Sequence, residues 1–126
     1  MNTKTIIKPK NSPAPVGPYN HAVRAGDFLF CSGQIPLDSQ GALVAGDIRA
    51  QTERVLENVK AILSDQELTF ANVVKSTVFM TNLGDFTAMN EVYGKYFTGD
   101  FPARSTIQVA ALPRGASVEI EVVAHY

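Results

Sequence analysis

The sequence predicts an α+β domain in which one sheet carries two helices on a single face. Two segments repeat apolar residues with the 3.6-residue period of a helix, and six shorter segments read as strands. The two kinds follow one another in the order β-β-β-α-β-α-β-β, so the helices act as crossovers that return the chain to the sheet.

The elements follow from local chemistry. Thr5 to Lys8 forms a short strand, and Asn11 to Gly17 is a proline-rich loop. His21 to Arg24 is the second strand, closed by the Ala25-Gly26-Asp27 turn. Phe28 to Ser32 is an apolar run of strand length that Gly33 and Pro36 are expected to end. Room for a short extra strand lies near Leu43. Asp47 to Leu63 is the clearest helix, with Ile48, Val55, Leu56, Val59, Ile62 and Leu63 on one stripe and Asp47 as N-cap. Val73 to Thr81 alternates and is rich in β-branched residues, the mark of a strand. Asp85 to Phe97 is the second helix, with Phe86, Met89, Tyr93 and Phe97 aligned, and Gly99 and Pro102 close it. Arg104 to Ala110 and Ser117 to His125 are the last strands, on either side of a Pro113-Arg114-Gly115 turn.

Composition narrows the function classes. The chain has 126 residues, 45% hydrophobic and 18% charged, without repeat or linker, so residues 1–126 are expected to form one domain. A single cysteine, Cys31, excludes an internal disulfide and points to a reducing compartment. With only His21 and His125 beside it, no zinc finger or ribbon can be assembled. The net charge of −1 gives no electrostatic footprint for nucleic acid. No apolar run approaches the roughly 20 residues that cross a bilayer, and the segment Met1 to Lys10 lacks a secretory core. A cytoplasmic location is expected. Phosphate loop, dinucleotide fingerprint and serine elbow are all missing from the sequence. Cys31 sits in an apolar strand with no base beside it and reads as a small buried hydrophobe.

Polar residues in awkward places remain. Alternation sets Ser105, Ile107 and Val109 against Arg104, Thr106 and Gln108, and sets Val118, Ile120, Val122 and Ala124 against Glu119, Glu121, Val123 and His125. Assigning both apolar sides to the helices leaves Arg104, Glu119 and Glu121 on the open side, which is either a solvated sheet face or a ligand site. Asn90 falls on the apolar stripe of the second helix, either bonded to a loop carbonyl or aimed at a ligand or a neighbouring chain. Gly17-Pro18-Tyr19 fixes the angle of a tyrosine ring, in a turn that also suits a plain core tyrosine. In Ser32-Gly33-Gln34 the glycine either ends a strand or permits close approach of another group.

Together these residues resemble the Rid (YjgF) family, and within it the RidA reactive intermediate deaminases. The likeness is carried by Gly17-Pro18-Tyr19, Ser32-Gly33-Gln34-Ile35-Pro36, Gln51 with Asn58, and Lys75-Ser76-Thr77-Val78-Phe79. It continues through Asn90 with Tyr93, Pro102-Ala103-Arg104-Ser105-Thr106-Ile107, Leu112-Pro113 and Val118-Glu119-Ile120-Glu121. The resemblance implies a chorismate-mutase-like fold, a mixed sheet backed by two helices, assembled as a homotrimer with a barrel-like centre and three clefts between subunits. It implies hydrolysis of enamine and imine intermediates from pyridoxal-phosphate-dependent dehydratases to 2-keto acids and ammonia, the reaction of a 2-iminobutanoate/2-iminopropanoate deaminase, without cofactor or metal. Arg104 would grip the substrate carboxylate through its planar fork. Glu119 would orient the attacking water; spacing alone does not choose it over Glu121. Tyr19, Ser32 and Asn90 would line the same cleft. Thr106 stands where many relatives carry cysteine and would help hold a water, largely through backbone groups. Competing readings are a non-enzymatic 2-keto-acid-binding regulator and an endoribonuclease or translation inhibitor. The near-neutral charge and the lack of a paired-histidine site weigh against the latter.

Overall fold

The computed structural model describes residues 3–10, 12 and 14–126; Met1, Asn2, Asn11 and Pro13, the last two in the expected proline-rich loop, lie outside them. The strands are Thr5–Ile7 (β1), Ala22–Ala25 (β2), Phe28–Gln34 (β3), Val73–Met80 (β4), Ala103–Gln108 (β5) and Val118–His125 (β6), and the helices are Ile48–Asp65 (α1) and Phe86–Tyr96 (α2). All six strands join one sheet in the order β1-β2-β3-β6-β4-β5. Only β4 and β5 are parallel neighbours; every other pair is antiparallel, so the sheet is mixed. The helix α2 carries the chain from β4 to adjacent β5. The helix α1 carries it from β3 to β4, and β6 later fills the gap between them. Both helices lie on one face and touch each other, α1 over β6 and β3.

The core forms where the helix stripes meet the inward side of the central strands. Val55, Leu56, Val59, Ile62 and Leu63 of α1 pack with Leu29 of β3, Val78 and Met80 of β4, and Val118, Ile120 and Val122 of β6, all essentially solvent-free. Each such side chain contributes roughly 1.5–3 kcal/mol of burial free energy. The Asp47 carboxylate caps α1 by accepting from the Ala50 N–H at 3.0 Å, as expected. Three polar residues of α1, Gln51, Thr52 and Asn58, are also buried. Gln51 Oε1 accepts from the Ser117 N–H at 2.9 Å. Asn58 Nδ2 donates to the carbonyls of Ile35 and Leu37 at 3.2 and 2.9 Å. These amides tie the loop after β3 and the entry to β6 onto the helix. Tyr96 of α2 donates its hydroxyl to Glu57 of α1 at 2.7 Å, and Arg49 pairs with Glu91 at the surface.

Two local expectations change. β3 does not stop at Ser32 but runs through Gly33 to Gln34, because a register shift opposite β6 between Cys31 and Gln34 lets the glycine stay in the strand. The extra strand near Leu43 reduces to a single bridge, Leu37 to Leu43. The Pro113–Gly115 turn is a 3-10 turn with Arg114 at φ 59°, held by a 2.7 Å bond from its Nη1 to the Gly41 carbonyl.

One expectation about faces is overturned. β5 turns its polar side to the helices. Arg104 pairs with Ser76, which pairs with buried Val122, whereas Ile107 pairs with Phe79, which pairs with Glu119 on the open face. β5 is an edge strand, and over it α2 presents the rings of Phe86 and Tyr93 rather than a closed core. The aliphatic stem of an arginine suits that setting. The open face is itself half apolar, with Phe28, Phe30 and Ile107 each close to half exposed, so hydrophobicity does not mark which side faces the helices. The same expectation holds for β6, whose Glu119 and Glu121 point away from the helices. Among the described residues no helix is long and apolar enough to cross a membrane.

Candidate functional site

Arg104 opens onto a cavity of about 310 Å³ lined by Asn90, Tyr93, Gly94, Phe101, Pro102 and Arg104 itself. Its Cζ lies 4.7 Å from the ring centre of Tyr93 and 5.6 Å from that of Phe86, two turns apart on α2. The guanidinium stacks on the rings and reaches the Tyr93 hydroxyl, and its remaining donors are left for a planar anion. Tyr93 is fixed in turn: its hydroxyl is 2.7 Å from Ser76 Oγ on β4, and its ring stacks on Phe97 at 4.2 Å. Burial pushes the Tyr93 phenol above its ordinary range, against the smaller effects of Ser76 and Arg104, so it is neutral at physiological pH. Asn90, between Phe86 and Tyr93 on the helix, is half-buried and lines the cavity beside the arginine. Its place on an apolar stripe is thus explained by a cavity rather than by a loop carbonyl.

Glu119 belongs to the other side of the sheet. It is half-buried in the row of Phe79, with its carboxylate over the backbone of Gly33. A Cβ at Gly33 would lie 2.8 Å from Glu119 Cδ, so only glycine leaves that space. Burial first, and then the like charge of Glu121, raise the Glu119 carboxyl above the usual range. Glu121 is exposed on the same side of β6.

Ser32 and Tyr19 flank this second group. Ser32 Oγ donates to the Asn20 carbonyl at 2.6 Å, and its N–H donates to the His21 carbonyl at 2.8 Å. Its hydroxyl proton is therefore committed to the loop that carries Tyr19. The Tyr19 N–H bonds the Gly17 carbonyl at 2.9 Å, and the ring folds back near Gly17 while staying 45% exposed. This is not a core tyrosine.

The expected residues thus fall into two groups. Arg104, Asn90 and Thr106 are on the helix side, and Glu119 with Gly33, Ser32 and Tyr19 are at the open side and the end of β3. One copy of the chain does not bring Arg104 and Glu119 onto one face. Thr106 pairs with Val78 on the Arg104 side, and its Oγ1 is buried without a hydrogen-bond partner in the fold. Cys31 is buried and its thiol is pushed up to about 12, which removes it as a nucleophile. Phe101 of the cavity was not anticipated from the sequence; its signal was an exposed aromatic directly before Pro102 in the segment leading to Arg104.

Residues 9–126 match the family model described as endoribonuclease L-PSP. The protein DfrA of Myxococcus xanthus is 54% identical over 124 residues, covering 96% of this chain and 95% of that protein. The human 2-iminobutanoate/2-iminopropanoate deaminase is 42% identical over 122 residues, covering 96% of this chain and 89% of that protein. The crystal structure of YyfA from Yersinia pestis, a protein of the conserved Rid family, superposes with a TM-score of 0.95 at 45% identity over 98% of this chain and 100% of that one. With the sheet, the crossovers and the two residue groups in hand, the chain belongs to the Rid (YjgF) family.

Proposed function

We propose that this chain is a cytoplasmic 2-iminobutanoate/2-iminopropanoate deaminase, hydrolysing short 2-imino acids and their enamine tautomers to 2-keto acids and ammonia. The observation that carries the reading is the Arg104 guanidinium, held on aromatic rings at a cavity wide enough for a small anion and shared with the Asn90 amide. The likeness to the human deaminase supports it.

In this reading the Arg104 fork pairs with the substrate carboxylate and so places C2 of the imine. Asn90 borders the substrate on the helix side. A water held by Glu119, with a backbone group near Thr106, adds to C2 of the protonated imine. The carboxylate takes a proton from the water as the C–O bond forms. That proton passes to nitrogen; as the C–N bond breaks and ammonia leaves, Glu119 takes the remaining hydroxyl proton, and the C2 carbonyl remains. A carboxyl raised by burial suits a group that both accepts and returns a proton. Tyr19 and Ser32 border the cleft, Ser32 by fixing the end of β3 beside Gly33.

Because Arg104 and Glu119 stand on opposite faces, the reading requires Glu119 of one copy to meet Arg104 of another. A homotrimer with clefts between subunits meets that need. Phe28, Phe30 and Ile107 on the open face supply apolar surface for it to cover.

The test is ammonia release from freshly generated 2-iminobutanoate, with semicarbazide trapping what the enzyme does not clear. Wild type is expected to outrun spontaneous hydrolysis, and Arg104→Ala and Glu119→Ala to fall back to it. Tight binding of 2-oxobutanoate with no acceleration would instead make the protein a keto-acid sensor.

A further inference from the structure

We propose that Tyr93, locked by Ser76, is a positioning residue that sets the direction of the Arg104 guanidinium. The inference rests on the reading of Arg104 as the carboxylate-binding group and assigns a role to Tyr93, which lines the cavity, and to Ser76, wholly buried behind it.

The geometry is a short relay. Ser76 and Arg104 are cross-strand partners on β4 and β5, so their side chains leave the sheet side by side toward α2. Ser76 is wholly buried and its Oγ meets the Tyr93 hydroxyl at 2.7 Å. That bond stops the phenol from sliding along the helix, and stacking on Phe97 at 4.2 Å, 17° from parallel, stops the ring from tilting. The Arg104 Cζ then rests 4.7 Å from the fixed ring. An arginine on an edge strand has several open rotamers, and a cation–π contact with an immobile ring selects among them. The serine hydroxyl is thus two contacts away from the site yet sets the orientation of its fork.

Two mild variants separate positioning from mere packing. Tyr93→Phe keeps the ring and deletes its hydroxyl contacts with Ser76 and with Arg104; Ser76→Ala deletes only the bond between Ser76 and Tyr93. Each is expected to raise KM for 2-iminobutanoate, and Kd for 2-oxobutanoate, by ~3- to 10-fold with kcat within about twofold. The double variant is expected to be no worse than Tyr93→Phe alone, because the one bond that Ser76→Ala breaks is already lost there. Ser76→Thr, which keeps a hydroxyl, is expected to restore binding. A packing role alone would lower stability and active fraction, and leave KM unmoved.

A second readout does not depend on turnover. The Arg104 Nε–H resonance is expected to be ring-current shifted in wild type and to move toward its free position in both variants. Unchanged KM and an unchanged resonance would overturn the positioning role while Arg104→Ala still abolished activity. If wild type itself proves inactive, the deaminase reading fails and the resonance alone decides the role of Tyr93.

Discussion

The Glu119 carboxylate lies against the backbone of Gly33, with the space a Cβ would take already filled by its Cδ and Cγ at 2.8 and 3.0 Å. The bulged end of β3 and the start of β6 are thereby fitted to one another at the residue proposed to carry the proton. Gly33→Ala is expected to push the carboxylate aside. The group displaced is the far end of a flexible side chain, so the fold should survive with a small loss of thermal stability. Deaminase activity should drop by at least ~10-fold, because a misplaced general base loses its reach. Parallel measurement of Tm and of kcat checks this; full activity would show that the contact does not govern catalysis.

Glu119 also sets a pH dependence. Burial, followed by Glu121, holds its carboxyl above the ordinary range. The ionised form works as base, so the acid limb of the rate profile should lie above that of a free glutamate. Glu121→Gln removes the like charge and should move the limb toward lower pH. The stability sign is opposite to that of a salt-bridged acid. The folded state binds this proton more tightly than the unfolded state, so stability is lost as pH rises from the ordinary value through the raised one. Glu119→Gln should therefore gain stability relative to wild type across that window while losing activity. Denaturation midpoints from about pH 4 to about pH 7 test it.

Asn58 supports the fold. It donates to two loop carbonyls and accepts from Arg54 Nη2 at 2.8 Å, all from a buried position on α1. Asn58→Ala leaves the Ile35 and Leu37 carbonyls without their partner and is expected to cost ~1–3 kcal/mol in urea unfolding. A neutral result would mean that water satisfies the loop.

Cys31 provides a probe of global opening. Its thiol is buried and pushed up to about 12, so it should be silent to a disulfide reagent at neutral pH in the folded protein. Reaction should appear only with denaturant and track unfolding. Rapid labelling of the native protein would contradict the burial of β3.

Much of the fold was readable because periodicity was strong where burial was complete. The α1 stripe and its Asp47 cap emerge as expected, and the strands fall within about two residues of their observed ends in most cases. The buried amides Gln51 and Asn58 were legible only through the family likeness, since a hydropathy pattern has no means of marking a polar residue that bonds to a loop. The faces of β5 were misassigned for a physical reason. Parity correctly grouped Arg104 with Thr106, but on an edge strand hydrophobicity does not say which group meets the helices. Ile107 is 45% exposed while the arginine stem lies on aromatic rings. Of the two readings the sequence leaves open at Gly33, a strand end or a close approach, the structure supports the second, and the approaching group is Glu119.

The central claim, that Arg104 of one copy and Glu119 of another act on one imino acid, is tested most directly by mixing two inactive variants. Arg104→Ala and Glu119→Ala subunits, unfolded together and refolded in equal amounts, should regain deaminase activity at about one quarter of the clefts, the random-assembly fraction that pairs an intact arginine with an intact glutamate. Each variant refolded alone should stay at the spontaneous rate. A mixture as inactive as its parents, with trimers formed, would contradict a site shared between copies.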